Sequence, residues 1–420
     1  MNNLDLNQLV NNPSCLDDYD PNAMSVTQAR AFIQQFLSPV TATETLALRD
    51  SLGRVLARKI VSPCNVPNHH NSAMDGFAFK HADADKPLKI VGTALAGTPY
   101  IGEVNSGECI KIMTGAVVPA CVDTVIMQER TSVADNMMSI SEVPQLGANI
   151  RLAGEDLSVG QTVLNKGHML RPADLGLVAS LGQAEVEVYR KLKVAFFSTG
   201  DELVGVGKPL AEGQIYDSNR YTLFGMLSRL GVEVSDLGSI PDQIDLLERT
   251  LLNAASQHDV VITSGGVSVG EADHMKTLLA KHGQVLFWKI NMKPGRPLAY
   301  GKVNNAHYFG LPGNPVATMV AFYQFVRDAL LSLMGADIKP MPLFNVECAV
   351  PIKKARGRTE FTRALLFLDN GQWKVKPTGN QSSGVLSSMS AANCFIVLDE
   401  NTTSCEAGSQ VQVQLFEGII

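Results

Sequence analysis

Three apolar segments in the second half of the chain run directly into glycine-rich turns whose residue types suit anion and cation chemistry. VAFF leads into STGDE (Ser198 to Glu202), DVVI into TSGGVSVGEAD (Thr263 to Asp273), and HYFG into LPGNP (Leu311 to Pro315). Glycine lets backbone amides approach an anion closely, and a carboxylate beside such amides can hold a cation. In the first loop Thr199 and Gly200 offer a hydroxyl and amides, and Glu202 is the acid. In the second, Ser264, Gly265, Gly266, Ser268 and Gly270 can wrap a phosphate or a flat ring, with Asp273 near a helix start. In the third, Pro312, Gly313 and Pro315 surround Asn314. Each loop has a plainer use. STGDE can cap a helix, the second loop can be a turn with an N-cap at Glu271 or Asp273, and Asn-Pro starts a helix well. Three glycines beside two serines, however, exceed what a turn needs. A fourth segment, WKINMKPGRP, carries Lys289, Lys293 and Arg296 after a strand. Three cations there would suit an oxyanion or phosphates, with a solvated basic loop as the alternative.

These loops meet only if the strands before them share one sheet edge. Residues 191–336 alternate accordingly: VAFF, a helix near 219–230 stopped by Gly231, VEVSDLG, the helix DLLERTLLNAA capped by Asp242 or Asp245, DVVIT, the helix EADHMKTLLAKH, QVLFWKI, HYFG, and a long helix with Asn314 at N-cap and Pro315 at N1. Alternation of this kind predicts parallel strands with helices on both faces and a ligand crevice at the carboxyl ends of the strands. Residues 1–24 read as a polar extension. Ser25 and Gln28 form a capping box ahead of VTQARAFIQQFL. Residues 59–157 read as a β-rich insertion of short strands, and residues 158–190 return to helical texture at PADLGLVASLG before EVEVYR. Residues 337–420 are β again, with a hairpin across Asn370-Gly371 and period-two SQVQVQLF. In the insertion, NSAMDGFA, IMTGA and GEDL place Asp75, Thr114 and Asp156 in small-residue loops that read more naturally as turn devices than as a site. His69-His70 lacks helical ligand spacing, and KKARGR (Lys353 to Arg358) reads as a solvated hairpin.

Composition removes several classes. The chain has 420 residues and needs more than one domain; its net charge of −6 gives no footprint for nucleic acid. Seven cysteines are scattered singly, which argues against zinc and, with the polar start MNNLDLNQ, for a reduced cytoplasm. No apolar run is expected to reach the length of a membrane span. No G-x-G-x-x-G follows a strand, and GVGKP lacks the pattern of a Walker loop.

NSAMDGFA, IMTGA, GEDL, FSTGDEL, GQIYDSN, SGGVSVGEAD, KPGRP and LPGNP, in this order, resemble the molybdopterin molybdenumtransferases, the family of bacterial MoeA and the E domain of gephyrin and Cnx-type proteins. The resemblance covers nearly the whole chain after residue 25. It implies a multidomain α/β plus β protein: a central parallel α/β molybdopterin-binding domain (191–336), the β-rich inserted domain (59–157), an elongated dimerisation domain (25–58 and 158–190) and a C-terminal β-barrel-like domain (337–420). It implies a homodimer that inserts molybdenum from molybdate into adenylylated molybdopterin with Mg²⁺, releasing AMP, downstream of a molybdopterin adenylyltransferase. Carried over by motif, Asp75, Thr114 and Asp156 act from the partner side. Glu202, Asp242 and Asp273 are the acids that would hold Mg²⁺, Lys289 and Lys293 are the basic positions, and Pro312 and Pro315 shape the LPGNP loop. Arg363 and Ser383 come from the C-terminal domain on the local matches TEFTRALL and NQSSG. Arg296 stands where many relatives have Lys. Three rival functions remain open: adenylylation of molybdopterin with ATP on a related α/β domain, a scaffold of the gephyrin type, and generic nucleotide binding.

Overall fold

A computed structural model describes residues 23–266 and 274–416, without the side chains of residues 286–288. The chain divides into two compact units, Met1–Glu44 with Gly53–Val55 and Val188–Ile420, and Thr45–Leu52 with Leu56–Glu187. Helix α1 (Val26–Gln34) opens with the expected capping box, Ser25 and Gln28 each bonding the other's backbone.

The unit of residues 45–52 and 56–187 is built on a six-stranded sheet. Its strands are β1 (Gly76–Phe79), β2 (Leu88–Ala94), β3 (Glu108–Ile112), β4 (Thr124–Met127), β5 (Thr131–Ala134) and β6 (Met137–Ile140), in the order β4-β1-β3-β2-β6-β5. Alternation along β1 divides the side chains between two cores. Phe77 and Phe79 pack with Cys109 and Met138, whereas Ala78 packs with Ile110, Ile112 and Val125. Helix α2 (Pro172–Ser180) carries Pro172 in its first turn, and the Asp174 carboxylate accepts from the Arg171 N–H at 2.8 Å and from its Nε at 3.1 Å. Burial alone would raise the Asp174 carboxyl, but hydrogen bonds from Arg171 and His168 hold it down at about 2.

The other unit holds the α/β layer. In chain order it runs β7 (Lys193–Thr199), α3 (Ser218–Arg229), β8 (Glu233–Ile240), α4 (Ile244–Gln257), β9 (Val260–Ser264), α5 (His274–His282), β10 (Gly283–Lys289), β11 (Pro297–Val303), β12 (Ala306–Leu311), α6 (Pro315–Ala321), a wide π turn (Phe322–Val326) and α7 (Arg327–Leu333). The sheet order is β8-β7-β9-β12-β11-β10, and the first four strands are parallel as expected. Phe197 and Val261 pack on α4 and α5 through Leu251, Leu278 and Leu279, while the alternate residues Val194, Phe196 and Ile262 are fully buried as well. Both faces are therefore covered.

The edge differs from an all-parallel reading. β10 and β11 pair antiparallel, as do β11 and β12. The KPGRP segment reverses the chain after β10, and Asn304, with φ 52°, makes a tight turn between β11 and β12. PLAYGKV is thus a strand that alternation with helices hides. Nor is α4 capped as expected: Gln243 holds the N-cap position with no side-chain bond, so neither Asp242 nor Asp245 does that work.

One more expectation needs correction. Pro315–Leu333 is long and apolar enough to cross a membrane by composition, with mean hydropathy 1.3, but 78% of it is buried inside the protein. It is a core helix of the α/β layer.

The remaining strands, β13 (Phe344–Cys348), β14 (Thr359–Asp369), β15 (Gln372–Pro377), β16 (Cys394–Leu398) and β17 (Gln410–Leu415), close on themselves in the order β14-β15-β13-β17-β16 and back to β14. Closure removes exposed edges. The predicted hairpin is present, with Asn370 and Gly371 both at positive φ. The short strand Met292–Lys293 pairs in parallel with the start of β14, which joins the barrel to the α/β layer.

Candidate active site

Register brings the three glycine loops together. Ser198 of β7 lies opposite Ser264 of β9, and Ser264 opposite Leu311 of β12, so the three strands end level. Gly265 donates its N–H to the Leu311 carbonyl at 3.1 Å. At Gly265 φ is +89°, and a Cβ would stand 2.7 Å from the Thr199 carbonyl oxygen. The first and second loops therefore touch backbone to backbone where only glycine fits. The third loop is tied in by Thr318, whose hydroxyl donates to the Pro312 carbonyl at 2.6 Å.

Above this edge lies a cavity of about 860 Å³. Thirteen of the sequence-predicted residues line it: Thr199, Gly200, Glu202, Asp242, Ser264, Gly265, Gly266, Lys293, Arg296, Pro312, Gly313, Pro315 and Ser383. Ser268, Gly270 and Asp273 lie outside the described residues.

One wall is acidic. The Asp242 N–H donates to an Asp201 carboxylate oxygen at 3.0 Å. Desolvation first, then the charges of Asp201 and Glu202, push the Asp242 carboxyl above its ordinary value, against the opposing pull of His274. Negative charge is in excess here, which suits a hard cation. Among the described residues no group of three or more His, Cys, Asp or Glu is arranged to hold a metal ion by itself.

The basic part of the lining comes from two elements. Lys293 and Arg296 flank Pro294-Gly295, and Arg358, Gln381, Ser382 and Ser383 face the cavity from the barrel. Lys293 Nζ lies 3.5 Å from Glu360. Lys289 ends β10 opposite Pro297 and does not line the cavity. Nor does Arg363, which is 1% exposed. It donates Nε to the Ser388 hydroxyl at 3.1 Å and Nη2 to the Ser382 carbonyl at 3.0 Å. Burial brings its guanidinium down to about 10. Arg363 therefore holds the 380–383 loop from behind, while Ser383 accepts the Val316 N–H at 3.1 Å through its carbonyl oxygen.

Asn219 is a cavity residue that sequence reasoning missed. Asp217 caps α3, accepting from the Arg220 N–H at 3.2 Å and from the Ser239 hydroxyl at 2.7 Å. That fixes Asn219 in the first turn. Its Nδ2 donates to Ser264 Oγ at 2.7 Å and to the Gly313 carbonyl at 2.6 Å, pinning α3 to two loops. A carbonyl accepts only, so the group facing Gly313 must be the amide NH₂. Oδ1 is buried, with no hydrogen-bond partner among the described residues. Its signal was the Asp-Ser-Asn ending of GQIYDSN, a cap followed by an amide. Arg358 was missed for the opposite reason: four basic residues in six looked like a solvated hairpin.

Asp75, Thr114 and Asp156 belong to the other unit. There Asp75 Oδ1 accepts from the Thr114 N–H at 2.6 Å and from its hydroxyl at 2.8 Å. The backbone N–H first, then the hydroxyl, hold the Asp75 carboxyl below its ordinary value. Two residues read as separate turn devices thus form one exposed unit. The Asp156 N–H donates to the Val66 carbonyl at 3.0 Å.

Comparison with known proteins identifies the family. Residues 24–182 match the MoeA N-terminal region (domain I and II), residues 195–332 a probable molybdopterin binding domain, and residues 345–416 the MoeA C-terminal region (domain IV). A molybdopterin molybdenumtransferase of Haemophilus influenzae is 45% identical over 402 residues, covering 94% of this chain and 100% of its own length. One from Staphylococcus aureus strain MSSA476 is 33% identical over 382 residues, covering 89% and 91%. The structure of the molybdopterin biosynthesis moeA protein from Pyrococcus horikoshii OT3 superposes with a TM-score of 0.82 at 29% identity, over 94% of this chain and 100% of that one. On these grounds the chain belongs to the molybdopterin molybdenumtransferase (MoeA) family.

Proposed function

We propose that this protein inserts molybdenum from molybdate into adenylylated molybdopterin, releasing AMP and giving the molybdenum cofactor. One observation carries the reading. Three strand ends level in register open into one cavity that is lined by both carboxylates and cations. An adenylylated pterin brings a pyrophosphate, and the amides of Gly200, Gly265, Gly266 and Gly313 suit its oxygens. Thr199 and Ser264 add hydroxyls, and Pro312 and Pro315 fix the loop that starts α6. Molybdate is a dianion and must sit beside another anion, so it needs Lys293 and Arg296, with Lys289 adding charge from the strand end. Arg363 keeps the Ser383 loop in place rather than touching ligand.

Glu202 and Asp242 are the described residues that would hold Mg²⁺; Asp273, given the same role by the family resemblance, lies outside the described residues. When bound, Mg²⁺ would polarise the phosphoanhydride. The protein's own part is to orient the pyrophosphate, to keep molybdate next to it, and to crowd carboxylates until they favour the cation.

The reading extends to the assembly. Residues 25–58 and 158–190 form the dimerisation domain, 59–157 the inserted domain, and Asp75, Thr114 and Asp156 serve the cavity of the second protomer. A molybdopterin adenylyltransferase supplies the adenylylated substrate in the cytoplasm.

Incubating pure protein with adenylylated molybdopterin, Mg²⁺ and molybdate should yield cofactor that reconstitutes a molybdenum-free apoenzyme. Incubating it with ATP and bare molybdopterin should yield no adenylate. Adenylate formation without molybdate insertion would overturn the reading in favour of the ATP-dependent reaction.

A further inference from the structure

We infer that Asn219 is a positioning residue for the substrate: it makes the Ser264 hydroxyl a donor to a phosphate oxygen of the bound ligand. The inference rests on the phosphate-bearing substrate proposed above and adds the residue that sets which way one of its hydrogen bonds runs.

Hydrogen-bond polarity carries it. A carbonyl accepts only, so the group that Asn219 places 2.6 Å from the Gly313 carbonyl is its NH₂. The same NH₂ lies 2.7 Å from Ser264 Oγ. Ser264 therefore accepts from Asn219, and its own proton must go elsewhere. The acceptor it has among the described residues is the Pro312 carbonyl, at the long distance of 3.5 Å. That carbonyl already takes the Thr318 hydroxyl at 2.6 Å. An ionised phosphate oxygen in the cavity is the stronger acceptor. Asn219 and Ser264 both line that cavity.

The orientation is held against its own cost. Oδ1 of Asn219 is buried with no hydrogen-bond partner among the described residues, and a buried acceptor left unpaired is destabilising. Turning the amide over would set Oδ1 against the Gly313 carbonyl, oxygen against oxygen, so the unpaired acceptor is retained. Helix α3 is tied to the neighbouring strands at this point. Asp217, its N-cap, accepts from Ser198 Oγ of β7 at 3.2 Å and from Ser239 Oγ of β8 at 2.7 Å. Asn219 then reaches β9 through Ser264.

The test is calorimetric titration of the full-length protein with ADP and, separately, with inorganic pyrophosphate at fixed Mg²⁺, read as a double-mutant cycle. S264A should weaken both ligands about tenfold. N219A should weaken them about threefold or more, because the hydroxyl is then free to turn, and N219A/S264A should bind within about twofold of S264A. A merely structural asparagine would cost binding equally in both backgrounds, and that additivity would overturn the inference. N219S, which keeps a polar group in the first turn, repeats the cycle where N219A does not fold. S264A leaves Asn219 its bond to Gly313, so S264A binding both ligands within about twofold of wild type would also overturn the inference. Pyrophosphate held through Ser264 by a protein whose AMP release ignores molybdate would uphold the inference and fail the function proposed above.

Discussion

Asp242 shows how much a single carboxylate reveals about this cavity. It shares its wall with Asp201 and Glu202, and desolvation and their charges raise it above the ordinary aspartate value of 3.8. A raised acid favours the folded state while it is protonated and loses that contribution as pH rises through the raised value. D242N should therefore raise the thermal midpoint at pH 7 in the absence of divalent metal, and the gain should vanish as pH falls below about 4. Calorimetry across that range checks it; a D242N midpoint at or below wild type at pH 7 would contradict it. At Asp75 the sign is reversed, because Thr114 holds that carboxyl low. T114V keeps the backbone N–H but removes the hydroxyl, so the Asp75 carboxyl, followed by NMR, should titrate at higher pH than in wild type. Gly265 offers a steric test. G265A drives a methyl against the Thr199 carbonyl at positive φ and should cost roughly 1–3 kcal/mol of stability along with ligand binding.

At the scale of elements, α3 is the piece that ties the loops together. N219A removes the bonds to Ser264 and Gly313 and should destabilise the α/β layer by about 1–3 kcal/mol in urea unfolding. β12 gives a pH-dependent counterpart. His307 is 7% exposed, and burial lowers it to about 4. A depressed base stabilises the fold above its unfolded value near 6.5 and loses that contribution as pH falls toward 4. Stability should drop by on the order of 3 kcal/mol across that window, and H307Q should flatten the profile. The parallel strands were legible because VAFF, DVVI and HYFG are apolar runs ending in glycine, as buried strands on a crevice edge must be. The capping box of α1 and the Asn370-Gly371 hairpin were legible because they are local rules. β11 was not, since PLAYGKV follows a proline turn and its pairing is set by a two-residue Asn turn further on. Arg358 and Asn219 were hidden because their place in the cavity depends on register between segments far apart in sequence, Met292 with Thr359 and Asn219 with Gly313. Arg363 was legible as a motif residue, but its burial behind the 380–383 loop was not.

For the whole molecule, the proposed sharing of each site between two chains makes a prediction. D75N and K293Q should each inactivate the protein alone. Mixed and re-annealed, they should regain roughly a quarter of wild-type activity, because each mixed dimer holds one site with neither lesion. Failure to complement would place Asp75 and Lys293 in the same protomer's site. The central claim is that one cavity joins an adenylylated pterin to molybdate, and it is tested most directly by AMP release from adenylylated molybdopterin as molybdate is raised at fixed Mg²⁺. AMP should appear only when both are present, rise to saturation with molybdate, and be lost in K293Q. Release that proceeds equally without molybdate would contradict the account.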